Sequence, residues 1–226
     1  MQLVTTEDGS HTLFVTKLNE HYHSTFGAIT ESMHIFIRSG LDQLHQKNIS
    51  VFEIGFGTGL NALLTCLAAI DRKLSITYHS IEKFPLSTEL AGQLNYPEML
   101  PPVHDPRGLF DTIHHAPWNE MTEIHAGFYL HKILAGLQEY HPAFACELIY
   151  FDAFSPEVQP EMWTPRLFKC LHDTLVPGGI LTTYCVKGTV KRTLEQAGFL
   201  IEKLPGPKGK REMLRGRKQE ITTNFL

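Results

Sequence analysis

The chain has 226 residues, 42% hydrophobic and 19% charged, with a formal net charge of −4, a composition ordinary for a globular protein of one or two domains. No run of 18 uncharged apolar residues occurs, which excludes a transmembrane helix, and residues 1–8 lack the basic flank and apolar core of a secretory signal. Cys66, Cys146, Cys170 and Cys185 are scattered, with no CxxC pair, which argues against a disulfide framework or zinc site and points to a reducing cytoplasm.

Residues 1–48 precede the first core strand and read as an appended segment facing the substrate. From residue 49 to 226 apolar runs alternate with helical patterns. Ile49–Ile54 is a strand ending in a glycine turn, Leu60–Asp71 a Leu/Ala-rich helix, and Leu74–Ile81 a second strand. Pro85 suits the first turn of a helix to about Leu94. Residues 95–122 read as irregular, with a short helix near Leu109–His114. Thr122–His125 and Phe128–Leu134 are strands around Gly127, and Glu147–Phe151 is another. A loop then leads to a helix near Pro160–Leu175. Pro177-Gly178-Gly179 turns into the strand Ile180–Val186. Gly188–Ala197 is a helix stopped by Gly198, and Leu200–Leu204 and Glu212–Gly216 suit a hairpin. This alternation predicts an α/β fold, a mainly parallel doubly wound sheet with antiparallel structure at its C-terminal end. Ligands of such sheets bind beyond the carboxyl ends of the strands, at the switch point.

Charge is unevenly spread. Residues 187–218 hold ten Lys or Arg against three acids, a charge of +7, while the rest carries −11. A basic stretch on an acidic body suits a polyanion such as nucleic acid, with Lys187, Lys191, Arg192, Lys210 and Arg211 as candidate phosphate contacts. A solvated helix face followed by a basic tail gives the same pattern. Thirteen histidines form no HExxH or similar ligand set, and His114-His115 and His21-x-His23 read as surface or hydrogen-bonded histidines. Trp163 reads as a packing residue. Neither a metal nor a membrane is expected as a partner.

Two strand ends carry the chemistry. Glu53-Ile54-Gly55-Phe56-Gly57-Thr58-Gly59-Leu60-Asn61 lies where a strand turns into a helix. The dinucleotide fingerprint GxGxxG fails, because position 60 is Leu. What stands there, acid-x-Gly-x-Gly-x-Gly, resembles motif I of class I S-adenosylmethionine-dependent methyltransferases, a Rossmann-like fold. That resemblance makes Glu53, Gly55, Gly57, Thr58, Gly59 and Asn61 candidates for holding S-adenosylmethionine. The next strand ends Glu82-Lys83, at the distance where an acid accepts from ribose hydroxyls.

Glu147–Phe151 runs into Asp152-Ala153-Phe154-Ser155-Pro156, the motif IV position of amino-methylating members of that superfamily. A primary amine with a pKa near ~10.4 must lose a proton before methylation, at roughly 4–5 kcal/mol at pH 7. Asp152 is therefore the candidate orienting acceptor and proton relay, and Phe154 the ring packed against the reacting group.

Tyr22-His23-Ser24-Thr25-Phe26-Gly27, then Glu31-Ser32-Met33-His34, the Asp152–Pro156 segment with Pro160-Glu161-Met162-Trp163, and Gly188–Leu194 with Lys210-Arg211-Glu212-Met213-Leu214 together resemble one family. It is the methyltransferase half of the bacterial tRNA 5-methylaminomethyl-2-thiouridine biosynthesis protein MnmC. The resemblance covers about residues 10–218. It implies methylation of the 5-aminomethyl group of the tRNA wobble uridine, with S-adenosylmethionine as donor and Tyr22, Ser24 and Glu31 among the substrate contacts. The chain resembles the stand-alone form, MnmD, rather than the form fused to a flavin domain, so separate enzymes would supply the aminomethyl-uridine. Many class I methyltransferases put an acid after the strand matching Phe128–Leu134. Here Ala135-Gly136-Leu137 follows, so backbone and apolar packing are expected around adenine. Two other functions suit the residues: a small-amine N-methyltransferase or aminopropyltransferase-like enzyme, and a non-catalytic RNA- or nucleoside-binding module.

Overall fold

In the computed structural model, which describes residues 1–220, the chain is organised around strand β4 (Asn48–Ile54). The last six residues of the expected 49–226 unit lie outside the described residues. β4 alternates between two buried faces. Val51 joins one core, with Leu60 and Leu63, whereas Phe52 and Ile54 join the other, with Phe168 and Leu171. β8 (Cys146–Phe151) repeats this, with Leu148 and Tyr150 on the first face and Ile149 and Phe151 on the second. Burial on both faces is what a parallel sheet covered by helices requires.

Before β4 come β1 (Gln2–Thr5), β2 (His11–Val15) and β3 (Glu20–His21), a small antiparallel sheet, then α1 (Ala28–Ser32), which widens into a π-helical turn over Met33–Arg38. Asp8 ties this segment together. Burial opposes its charge, but hydrogen bonds from Ser10 and Thr30 more than offset that and hold its pKa near 2.

After β4 the order is α2 (Leu60–Arg72), β5 (Ser75–Glu82), α3 (Thr88–Ala91), α4 (Tyr96–Met99), α5 (Pro106–His115), β6 (Met121–His125), β7 (Phe128–Leu134) and β8. Then come α6 (Pro165–Thr174), β9 (Leu175–Thr183), α7 (Gly188–Gln196), β10 (Leu200–Pro205) and β11 (Glu212–Arg217). The main sheet runs β10-β11-β9-β8-β4-β5-β7-β6. β5 and β7 extend it in parallel on one side of β4, and β8 and β9 on the other. The switch point therefore lies between β4 and β8, and the Asp152 N–H donates to the Ile54 carbonyl there at 3.1 Å.

The expected α/β fold and the C-terminal hairpin are present. β10 pairs antiparallel with β11, which in turn pairs antiparallel with β9. Several boundaries differ for local reasons. The helix expected from Pro85 starts at Thr88, where the Ser87 hydroxyl accepts from the Leu90 N–H. The segment 95–122 is more helical than expected: Asp105 caps α5 through the Gly108 N–H, ahead of Pro106. The helix expected over Pro160–Leu175 is two pieces. A 3-10 turn, Pro160–Trp163, ends at extended Thr164, whose hydroxyl then caps α6. β9 begins at Leu175, with a register shift against β8, so the Pro177–Gly179 turn lies inside the strand. Among the described residues no helix is long and apolar enough to cross a membrane.

Candidate active site

A cavity of about 900 Å3 opens above the carboxyl ends of β4, β5 and β8, at the upper end of the ~300–1,000 Å3 usual for small-molecule sites. Its floor is the turn between β4 and α2. Gly55, Gly57 and Gly59 all have positive φ, at 93°, 49° and 74°, the left-handed region that disfavours side chains. The space matters too. A Cβ on Gly57 would sit 3.1 Å from the Tyr22 ring, and one on Gly59 would sit 2.7 Å from His114 Nε2. The turn is thus a cradle that side chains would fill.

Glu82, at the end of β5, lines this cradle. Its Oε2 accepts from the Gly57 N–H at 3.1 Å and its Oε1 from the Phe84 N–H at 2.8 Å. The carboxylate is fixed by backbone donors and retains lone pairs for hydroxyls in the cavity. Lys83 lines the same end, with Ala135, Gly136 and Leu137. The Ala135 N–H bonds to the Glu82 carbonyl, which brings the segment after β7 against the end of β5. Thr58 lines the floor as well. Its hydroxyl bonds to Nε2 of buried His23 at 2.8 Å, and its carbonyl lies 3.1 Å from His114 Nε2.

Glu53 and Gly59 do not line the cavity. Glu53 lies beneath the turn, fully buried, and accepts from the Ser80 hydroxyl at 2.5 Å. Its Oε1 has no protein partner, and burial pushes its pKa up to about 8. Glu53 therefore stands behind the loop, its side chain on the α2 face of the sheet among Asn61, Tyr78 and Ser80.

Asp152 stands across the switch point from Gly55 and lines the cavity with Asn61. Asn61 Nδ2 donates to Asp152 Oδ2 at 2.9 Å, while the buried Asn61 Oδ1 has no partner. Burial, with the Glu31 carboxylate adding to it, pushes Asp152 up to about 8 against the opposing effects of Asn61 and Lys210. Phe154 follows. Its ring meets the Tyr22 ring edge-on at 5.1 Å, and its carbonyl accepts from Trp163 Nε1 at 2.8 Å. Trp163 is the expected packing residue and also an anchor for this loop. Tyr184, which the sequence reading missed, donates its hydroxyl to the Ala153 carbonyl at 2.9 Å.

The appended segment supplies the remaining wall. Tyr22, Ser24 and Glu31 all line the cavity. Burial raises the Tyr22 hydroxyl to about 12, with Glu82 adding to it, so it stays protonated. Of the two expected readings of His23, surface or hydrogen-bonded, the structure shows the second: it is buried against the Thr58 hydroxyl, and that burial lowers it to about 4. A His in a run rich in Tyr, Ser and Thr carries no periodicity that separates the two cases.

The five basic candidates divide. Lys210 lines the cavity, whereas Lys187, Lys191, Arg192 and Arg211 do not. Lys210 pairs with Glu31, Lys191 with Glu195 one helical turn on, and Lys187 with Glu157. Among the described residues Arg192 and Arg211 enter no ion pair and are exposed. Three acids from outside the segment, Glu7, Glu31 and Glu157, thus pair with Lys208, Lys210 and Lys187 and offset part of its excess charge.

The cradle, the fixed carboxylate at the end of β5 and the slot after β7 suit a nucleoside with free ribose hydroxyls. The missing third glycine and Leu60 at the start of α2 suit a cofactor without a pyrophosphate.

Comparison with known proteins agrees with that donor set. Residues 114–219 match the S-adenosyl-L-methionine-dependent methyltransferase family. The protein named tRNA 5-methylaminomethyl-2-thiouridine biosynthesis bifunctional protein MnmC from Aromatoleum aromaticum is 32% identical over 98% of this chain and 36% of its own length. That of Pseudoalteromonas atlantica is 31% identical over 91% of this chain and 32% of its own. The chain thus spans about a third of the length of these relatives. The crystal structure of MnmC2 from Aquifex aeolicus superposes with a TM-score of 0.79 at 25% identity, covering 97% of this chain and 70% of that one. Spermidine synthase from Thermotoga maritima shares the fold alone, at a TM-score of 0.55 and 13% identity. The chain is an S-adenosylmethionine-dependent methyltransferase of the class I fold, related to the methyltransferase part of the MnmC proteins.

Proposed function

We propose that the protein methylates the aminomethyl nitrogen of 5-aminomethyl-2-thiouridine at the tRNA wobble position, giving 5-methylaminomethyl-2-thiouridine. The observation that carries this reading is Asp152, a carboxyl group held by Asn61 at the switch point and walled by Tyr22, Glu31 and Phe154. Bound S-adenosylmethionine supplies a methyl group on a cationic sulfur. Gly55, Gly57, Thr58, Asn61, Glu82 and Lys83 are the residues assigned to holding it, with Glu53 and Gly59 shaping the turn from behind. Asp152 orients the acceptor amine and takes the proton that the methylated nitrogen releases. Its raised pKa suits that work, because a proton relay is most effective when its pKa lies near the operating pH. Phe154 and Tyr22 offer ring faces to a pyrimidine. Residues 1–48 form the acceptor-side unit and residues from 49 onward the methyltransferase unit.

Arg192 and Arg211 are the first choices for phosphate contact. Lys187 and Lys191 can join by exchanging their exposed partners, since such pairs contribute only about 0–1 kcal/mol. The reaction belongs in the cytoplasm, beside the separate enzymes that install the aminomethyl group. The test is transfer of labelled methyl from S-adenosylmethionine to tRNA carrying 5-aminomethyl-2-thiouridine, run beside free polyamines. Label in the tRNA and none in the polyamines is expected. The reverse result replaces this reading with the small-amine one.

A further inference from the structure

Glu31 and Lys210 lie 179 positions apart, yet Lys210 Nζ donates to Glu31 Oε1 at 2.5 Å. Glu31 is 7% exposed, and its other oxygen accepts from the Ser24 N–H at 2.9 Å. Lys210 Nζ also stands 4.3 Å above the centre of the Tyr184 ring, within range of a cation–π contact. Tyr184 holds the carbonyl of Ala153, the residue after Asp152. One short network thus joins the N-terminal segment, the β10–β11 loop and the end of β9 around the Asp152 loop. The charge of Lys210 is thus matched inside the protein by Glu31 and the Tyr184 ring.

We propose that Glu31 and Lys210 are a positioning pair that holds the Asp152 loop and balances the charge around it, and that they do not contact tRNA phosphate. The proposal deepens the reading of Asp152 given above and rests on it for its catalytic meaning. The pair acts on Asp152 with opposite signs: the Glu31 charge raises its pKa and the Lys210 charge lowers it. Other groups face Asp152 as well. Glu53 from β4 interacts with it, as do the hydroxyls of Tyr78 from β5, Tyr96 from α4 and Tyr184 just after β9. Burial raises all three tyrosines, so they stay neutral while Asp152 titrates. Glu53 titrates in the same range, but it is common to every variant below and cancels in their comparison.

The experiment is a carbon-13 carboxyl NMR titration of the full chain, labelled at aspartate and free of substrate, with Asp152→Asn identifying the signal. Lys210→Met is expected to raise the Asp152 midpoint by roughly one pH unit, and Glu31→Gln to lower it by a similar amount. Lys210→Arg is expected to restore the parent value, and the double variant to fall between the single ones. The alkaline-rising limb of kcat/KM for methyl transfer should follow the same order. Midpoints that do not move, or that move in one direction in both single variants, overturn the proposal. Should Glu31→Gln not fold, Lys210→Met against Lys210→Arg decides alone: equal midpoints overturn it. The titration needs no acceptor, so its outcome stands apart from the tRNA reading, which fails if the parent protein transfers no methyl to tRNA.

Discussion

The two walls of the cavity are built in opposite ways. The floor and the β5 side come from residues close together in the chain, Gly55 to Asn61 and Glu82 to Phe84, and their geometry follows from where two parallel strands end. The acceptor side comes from residues 20–31, 152–163, 184 and 210, brought together by long-range contacts such as Lys210 with Glu31 and Tyr184 with Ala153. In the proposed reading the first wall holds a nucleoside by backbone shape and one carboxylate, and the second sets which amine is presented and in what charge state. Changes on the two walls should therefore separate affinity for the cofactor from the rate of transfer.

The largest effect expected is on the acceptor wall. Asp152→Ala should cut single-turnover methyl transfer by about 10²–10⁴, the range for a positioned proton-transfer group, while S-adenosylmethionine affinity by calorimetry stays within a few-fold. A variant that loses affinity and keeps its rate would place Asp152 on the other wall. Next comes Glu82→Ala, which removes an acceptor fixed by Gly57 and Phe84. A hydrogen bond to a charged group is worth ~1.5–3 kcal/mol, so affinity should fall roughly tenfold or more.

A smaller effect concerns stability beneath the turn. Burial raises Glu53 from its ordinary 4.5 to about 8, so the folded protein keeps a proton that the unfolded chain has lost. This contribution is fully present below pH about 4.5 and is lost as pH rises through about 8. Asp152 acts in the same direction. Glu53→Gln should therefore flatten the fall of Tm between pH 5 and pH 9, read by calorimetry. An unchanged slope would mean that Glu53 is charged in the folded protein.

The smallest effect concerns the basic stretch. Because Lys191 pairs with Glu195 and Arg192 is free among the described residues, Arg192→Ala should reduce the salt slope of tRNA binding by about one unit. Lys191→Ala should change it less. Equal slopes in both variants and the parent would return the stretch to a solvated face.

The floor could be read from the sequence because its meaning is local. Three glycines at alternate positions after an apolar strand mark a tight turn, and together with an acid at the next strand end they point to a ligand site by one fold rule. The position of Asp152 at the end of β8 was legible for the same reason. The place of Glu53 behind the cavity was not legible, because strand alternation, not motif membership, decides which way its side chain points. How much of the basic stretch is free was not legible, because counting charge along the chain cannot see Glu31, Glu157 and Glu7, which the fold sets against Lys210, Lys187 and Lys208. The small sheet of residues 2–21 was not foreseen at all: its strands are short, and β1 is mostly exposed and lacks a clear alternation.

The central claim is that the acceptor wall presents the wobble aminomethyl group to Asp152. The most direct test is nucleoside mass spectrometry of tRNA after reaction with deuterium-labelled S-adenosylmethionine, using the parent protein and Asp152→Asn. The account predicts one labelled methyl on the aminomethyl nitrogen of the wobble uridine with the parent protein, and its near-complete loss with Asp152→Asn. Label on any other nucleoside, or equal labelling by the two proteins, would contradict it.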